Sequence, residues 1–123
     1  MAEKKRVMIV DDERDLVETL TYRLEASGYT VLTAHDGEEG LEKAREEKPD
    51  LILLDVMMPK MDGYHVCRLL KFDEELKDIP IIMLTARGQE QDKKTGTDSG
   101  ANDYVTKPFE STDLLKKIKE YLG

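Results

Sequence analysis

The sequence predicts an α/β fold, a doubly wound (βα)5 sandwich in which a five-stranded parallel sheet carries helices on both faces. Three observations point there. Short unbroken aliphatic runs recur, VMIV at residues 7–10, LILL at 51–54 and IIML at 81–84, and a run without polar alternation is a strand buried on both faces, as parallel strands are. The stretches between them place apolar residues at helical spacing, so strand and helix alternate and the crossovers are right-handed. At 123 residues the chain is long enough for one real hydrophobic core and too short for a second folding unit, so residues 1–123 are read as a single domain.

The elements follow in order. The strand at 7–10 stops on Asp11-Asp12-Glu13, and Leu16, Val17, Leu20 and Leu24 then line one face of a helix that Gly28 ends with a left-handed turn. Residues 29–34 are β-branched and aromatic enough for a second strand, but Thr30 and Thr33 mark it as an edge. Asp36 and Glu39 form a capping-box pattern for a short helix that buries Leu41 and Ala44 and ends before Pro49. The strand at 51–54 stops on Asp55. A turn through Pro59 leads to Asp62-Gly63, and Tyr64, Val66, Leu69 and Leu70 mark a third helix. The fourth strand, 81–84, stops on Thr85-Ala86, and a fifth at 104–106 stops on Lys107-Pro108-Phe109. In the last helix, which Ser111 can cap, Leu114, Leu115, Ile118, Tyr121 and Leu122 share a face. Residues 87–100 break the pattern. They hold no aliphatic or aromatic side chain where spacing calls for a helix, so that helix is expected to be short, displaced or mobile.

Composition narrows the function. A formal net charge of −8 argues against a domain that binds nucleic acid by itself, because that affinity is built on Lys and Arg neutralising phosphates. It suits protein partners. A lone cysteine, Cys67, allows no internal disulfide, and no apolar run approaches the ~20 residues needed to span a bilayer. With no signal-type segment after MAEKKR, a cytoplasmic chain without membrane contact is expected.

The polar residues that end the strands form a pattern of their own: Asp11 and Asp12 after the first, Asp55 after the third, Thr85 after the fourth and Lys107 after the fifth. In open α/β sheets this carboxyl edge is where ligands bind. Each residue singly has a plainer use, as helix-terminus charge, turn residue, loop hydroxyl or solvated cation. Together they describe a site. Three converging carboxylates repel one another and raise each other's pKa values unless a cation sits among them, and an all-oxygen donor set with room for water suits Mg²⁺. With Lys107 as a second positive charge and the Thr85 hydroxyl beside it, a phosphoryl group can be held while an Asp55 oxygen attacks phosphorus. His35 and His65 have no ligand-spaced partners and read as surface residues, and Cys67 and the methionines as packing.

The motifs VDDE at 10–13, LLDVMMPKMDG at 53–63, TA at 85–86, GANDY at 100–104 and KPF at 107–109 resemble, over essentially the whole chain, the receiver domain of two-component response regulators, of the chemotaxis-regulator kind. The resemblance implies strand order 2-1-3-4-5. It implies Asp55 as phosphoacceptor, with Asp12 ligating Mg²⁺ directly, Asp11 through water, and the Met57 backbone carbonyl and Asp55 completing the set. Thr85 and Lys107 would contact the phosphoryl group and Tyr104 would change rotamer with Thr85 as the switch. Met57 and Arg87, each two residues beyond a site residue, would tune phosphate lifetime. The Lys107-Pro108 bond would be cis. Such a domain catalyses its own phosphorylation and dephosphorylation but is chiefly a signalling protein. Its partners would be a sensor histidine kinase or histidine phosphotransfer protein and, through the face of the fourth helix, fifth strand and fifth helix, a downstream target or a second copy of itself. Ending directly after the last helix, the chain reads as a free-standing regulator or phosphorelay shuttle, or equally as the receiver portion of a longer regulator.

Rival classes fit less well. A flavodoxin-like protein needs a hydroxyl- and glycine-rich phosphate loop after the first strand, where Asp11-Asp12-Glu13 would repel phosphate. A haloacid-dehalogenase-type phosphatase carries a second Asp two residues past its nucleophile, where this chain has Met57. A receiver-fold binding module acting without phosphorylation is the remaining alternative, and it would be expected to lack a site residue.

Overall fold

In the computed structural model, which describes residues 4–58, 61–86 and 100–123, the five strands form one parallel sheet in the order β2-β1-β3-β4-β5. They are β1 Arg6–Val10, β2 Thr30–Ala34, β3 Leu51–Asp55, β4 Ile81–Ala86 and β5 Asp103–Lys107. Among the described residues four helices accompany them: α1 Arg14–Ala26, α2 Gly37–Glu47, α3 Gly63–Phe72 and a C-terminal helix, Ser111–Leu122.

The unbroken aliphatic runs divide their side chains between two cores, because successive residues of a strand face opposite ways. Met8, Val10, Ile52, Leu54, Ile81 and Met83 meet Leu41 and Ala44 of α2 and Val66, Cys67 and Leu70 of α3 on one face. Val7, Ile9, Leu51, Leu53, Ile82 and Leu84 meet Val17, Leu20 and Leu24 of α1 and Leu114 and Ile118 of the C-terminal helix on the other. Cys67 is therefore core packing. The edge position expected for β2 is the observed one, and its half-exposed residues explain why it tolerates threonine.

Local signals act largely as expected. Asp36 caps α2 by accepting from the Glu39 N–H at 2.8 Å, and Glu39 reaches back to the His35 N–H at 2.8 Å, one residue short of the reciprocal capping-box bond. Gly28 takes φ +96° just past α1, and α2 closes through Lys48 at φ 47°, ahead of Pro49. Ser111 is a correction. The N-cap of the C-terminal helix is Glu110, with no side-chain capping bond, and Ser111 is its first helical residue.

At the end of the sheet remote from Asp55, Lys71 ties α3 to the strands. Its ammonium donates to the Lys77 and Ile79 carbonyls at 3.0 and 2.9 Å and to Asn102 Oδ1 at 3.0 Å, and that same oxygen accepts the Ile81 N–H at 2.9 Å. Burial holds the Lys71 pKa below the ordinary lysine value. Gly100, at φ +95°, lets the Lys71 stem pass, for a Cβ there would stand 2.9 Å from its Cγ. Gly100 and Asn102 of the GANDY motif thus serve the foot of the sheet. Residues 87–99, on which the expectation of a short or displaced helix falls, lie outside the described residues, as does Arg87.

Candidate functional site

The register carries Asp55 to the carboxyl edge. Ile52, Leu53, Leu54 and Asp55 pair with Ile81, Ile82, Met83 and Leu84, so Thr85 stands one residue past the partner of Asp55, and Ala86 pairs with Lys107. β1 borders β3 through Val10 and Leu54, which brings Asp11 and Asp12 alongside. Asp11, Asp55 and Thr85 are buried at 0%, 5% and 8% exposure, while Asp12 faces solvent. One carboxylate oxygen from each of Asp11, Asp12 and Asp55 lies within 4.8 Å of the others.

Lys107 reaches from β5 across to β1. Its ammonium donates to Asp11 Oδ2 at 2.9 Å, to Glu13 Oε1 at 2.9 Å and to Asp55 Oδ1 at 3.4 Å. Burial opposes its charge, but the bonds to Glu13 and Asp11 and the charges of Asp55 and Asp11 outweigh this and hold its pKa above the ordinary lysine value. Asp55 moves the opposite way to most carboxylates. Burial first, and the neighbouring Asp11 charge second, raise it from 3.8 to about 6, against the lowering effects of Lys107 and of the Met57 backbone N–H. Loss of water around the carboxylate and a like charge beside it both disfavour the anion, so the shift follows from packing and from the spacing of the two acids. The donor set of oxygens, with one ligand open to solvent, fits a hard divalent cation such as Mg²⁺.

The loop after β3 is built to hold Asp55 still. Asp62 caps α3 by accepting from the His65 N–H at 2.9 Å, and the Gly63 N–H donates to the Val56 carbonyl at 2.9 Å. A Cβ on Gly63 would collide with the Asp55 carbonyl and lie 2.9 Å from Val56 Cα. Asp62-Gly63 is therefore a capping residue followed by a close backbone approach, the two needs that these residue types meet.

Of the residues singled out from the sequence, Asp11, Asp12, Asp55 and Lys107 come together as one cluster. Thr85 shares their edge. Met57 supplies its backbone N–H to Asp55, while the residue as a whole is 62% exposed. Tyr104 sits on β5, paired with Met83 and packed on the core shared with α2 and α3. The Lys107-Pro108 bond is cis. Two participants escaped the sequence reading. Glu13 was visible as the third acid after β1, but nothing local says that a lysine 94 residues away will take it. The close approach of Gly63 depends on where α3 crosses the end of β3.

Comparison with known proteins identifies the family and agrees with the fold. Residues 7–119 match the family described as the response regulator receiver domain. The alkaline phosphatase synthesis transcriptional regulatory protein PhoP of Bacillus subtilis (strain 168) is 51% identical over 118 residues, covering 96% of this chain and 48% of that protein. The chain thus spans about half the length of the curated relatives it matches. The receiver domain of a signal transduction histidine kinase from Syntrophus aciditrophicus superposes with a TM-score of 0.90 at 36% identity, over 96% of this chain and 89% of that one. The receiver domain of the sensor histidine kinase PA1611 from Pseudomonas aeruginosa PAO1 has a magnesium ion coordinated in its active site cleft, and it superposes with a TM-score of 0.86 at 29% identity over 98% of both chains. No described helix is long and apolar enough to cross a membrane. The chain belongs to the receiver domains of two-component response regulators, whose general function is that of a phosphorylation-dependent switch.

Proposed function

We propose that this chain accepts a phosphoryl group onto Asp55 from a histidine kinase or a histidine phosphotransfer protein, and relays the resulting change through protein contacts. The observation that carries the reading is the Asp55 carboxylate itself, on a side chain 7% exposed at the end of a central strand and 3.4 Å from the Lys107 ammonium. An Asp55 oxygen attacks the phosphorus of a phosphohistidine; the P–N bond breaks, a P–O bond forms, and the histidine nitrogen takes a proton from water. With a pKa near 6, Asp55 is mostly ionised at neutral pH and so able to attack. Its anchored backbone, between the β4 register and the Gly63 contact, spares the reaction a reorganisation cost. Lys107, 3.4 Å from Asp55, would neutralise a phosphoryl oxygen, and the Thr85 hydroxyl, at the same edge, would donate to another.

Asp11, Asp12 and Asp55 would hold Mg²⁺, with the Met57 carbonyl adding a ligand from the backbone. When bound, that ion supplies positive charge to the phosphoryl oxygens. Tyr104 would follow Thr85 and alter the face formed by β5 and the C-terminal helix, where a downstream target or a second copy docks. Met57 and Arg87 would set the lifetime of the phosphoaspartate. The setting is the cytoplasm, where kinases of this type act. Incubation with acetyl phosphate and Mg²⁺ tests the core of this reading by intact-mass spectrometry. One acid-labile phosphoryl group is expected on the wild type and none on Asp55→Asn; undiminished incorporation in the variant would overturn the assignment.

A further inference from the structure

We propose that Glu13 is a positioning residue for Lys107, the acceptor that retains the ammonium when a divalent cation takes Asp11 and Asp55. The inference rests on the carboxylate cluster being the cation site, as argued under the proposed function.

An ammonium has three donors, and Lys107 spends them on Asp11, Glu13 and Asp55. Two of those acceptors belong to the group of carboxylates able to hold a metal. The ammonium and the cation therefore compete for the same oxygens. Asp11 is committed further, since its Oδ1 accepts the Glu13 N–H at 2.9 Å while its Oδ2 takes Lys107. A cation held by Asp11, Asp12 and Asp55 would draw on the oxygens that Lys107 uses here and would repel its ammonium. Glu13 is the acceptor that remains, outside the cluster.

Two features suit Glu13 to that role. Its side chain is 61% exposed, against 0% for Asp11 and 7% for Asp55, so it has room to follow an ammonium that swings outward. It is also the N-cap of α1, yet its side chain makes no capping bond. At an N-cap the side-chain oxygen ordinarily accepts from the first turn of the helix; here the carboxylate is turned to Lys107 instead. Glu13 thereby keeps Lys107 at the mouth of the site, close enough to return when a phosphoryl oxygen is present.

A double-mutant cycle on Mg²⁺ affinity, measured by isothermal titration of the full chain, tests this. Glu13→Gln is expected to weaken Mg²⁺ binding by roughly two- to fivefold, the range of an exposed ion pair. In a Lys107→Met background the same substitution is expected to have no further effect, because the residue it acts through is gone. Glu13→Asp, which keeps the charge but shortens the reach by one carbon, is expected to resemble Glu13→Gln. Equal weakening by Glu13→Gln in both backgrounds, or Glu13→Asp binding as wild type, would mean that Glu13 contributes only its charge and would overturn the proposal. Failure of the wild type to bind Mg²⁺ would be a different result, removing the cation site and this inference with it.

Discussion

Replacing Asp55 with Asn is expected to make the metal-free protein more stable, and by an amount that depends on pH. Asp55 titrates at about 6 in the folded chain against an ordinary value of 3.8, chiefly because burial and the Asp11 charge penalise its anion. Raised in the folded state, the group costs nothing below pH 3.8, and its penalty grows as pH rises through 6. Each pH unit is worth about 1.4 kcal/mol. The interval of about two units therefore amounts to about 3 kcal/mol above pH 7 and less than about 1 kcal/mol at pH 4. Asn removes the penalty and forfeits one Lys107 contact, the longest of the three at 3.4 Å, while those to Asp11 and Glu13 remain. Urea unfolding followed by circular dichroism in EDTA, at pH 8 and pH 4, measures the difference. Asp55→Asn is expected to gain about 2 to 3 kcal/mol over wild type at pH 8 and little at pH 4. A variant no more stable than wild type at pH 8, or a gain of equal size at both pH values, would refute the reasoning.

Four further outcomes are expected. Mg²⁺ at a hundredfold excess over its dissociation constant should stabilise the wild type by about 2.7 kcal/mol, seen as a rise in melting temperature that EDTA reverses and that Asp12→Ala largely abolishes. Gly63→Ala drives a methyl into the Asp55 and Val56 backbone, which cannot rotate aside as a side chain can. A loss of about 2 kcal/mol is expected, or roughly 8 °C in melting temperature, and a shift under 2 °C would contradict the close approach. Lys71→Met leaves two carbonyls and Asn102 without their ammonium donor, and should cost about 2 kcal/mol in urea unfolding while leaving phosphorylation by acetyl phosphate intact. Met57 offers an attacking water no strong hydrogen bond, so Met57→Asn should shorten the phosphoaspartate half-life, read by the decay of the phosphorylated mass.

The residues themselves determined the strands, their burial and the edge on which chemistry gathers, because those properties are local: four aliphatic residues in a row can be satisfied only by two covered faces, and each of the runs at 7–10, 51–54 and 81–84 does divide between the two cores. Asp55 could be picked out for the same reason, as the first polar residue after such a run. Ser111 shows where local reading fails. A serine before an apolar face is a good cap in isolation, yet the β5 connection delivers Glu110 to the capping position instead. The tertiary structure decided what no window of sequence holds. Lys107 and Glu13 meet because the parallel sheet brings the carboxyl ends of β1 and β5 to one edge, where the two side chains reach toward each other past the ends of β3 and β4. The Gly63 contact exists because α3 begins against the end of β3. Asp55 titrates at about 6 because packing strips its water and Asp11 lies beside it; desolvation and the distance between charges belong to the folded chain, and a sequence contains neither.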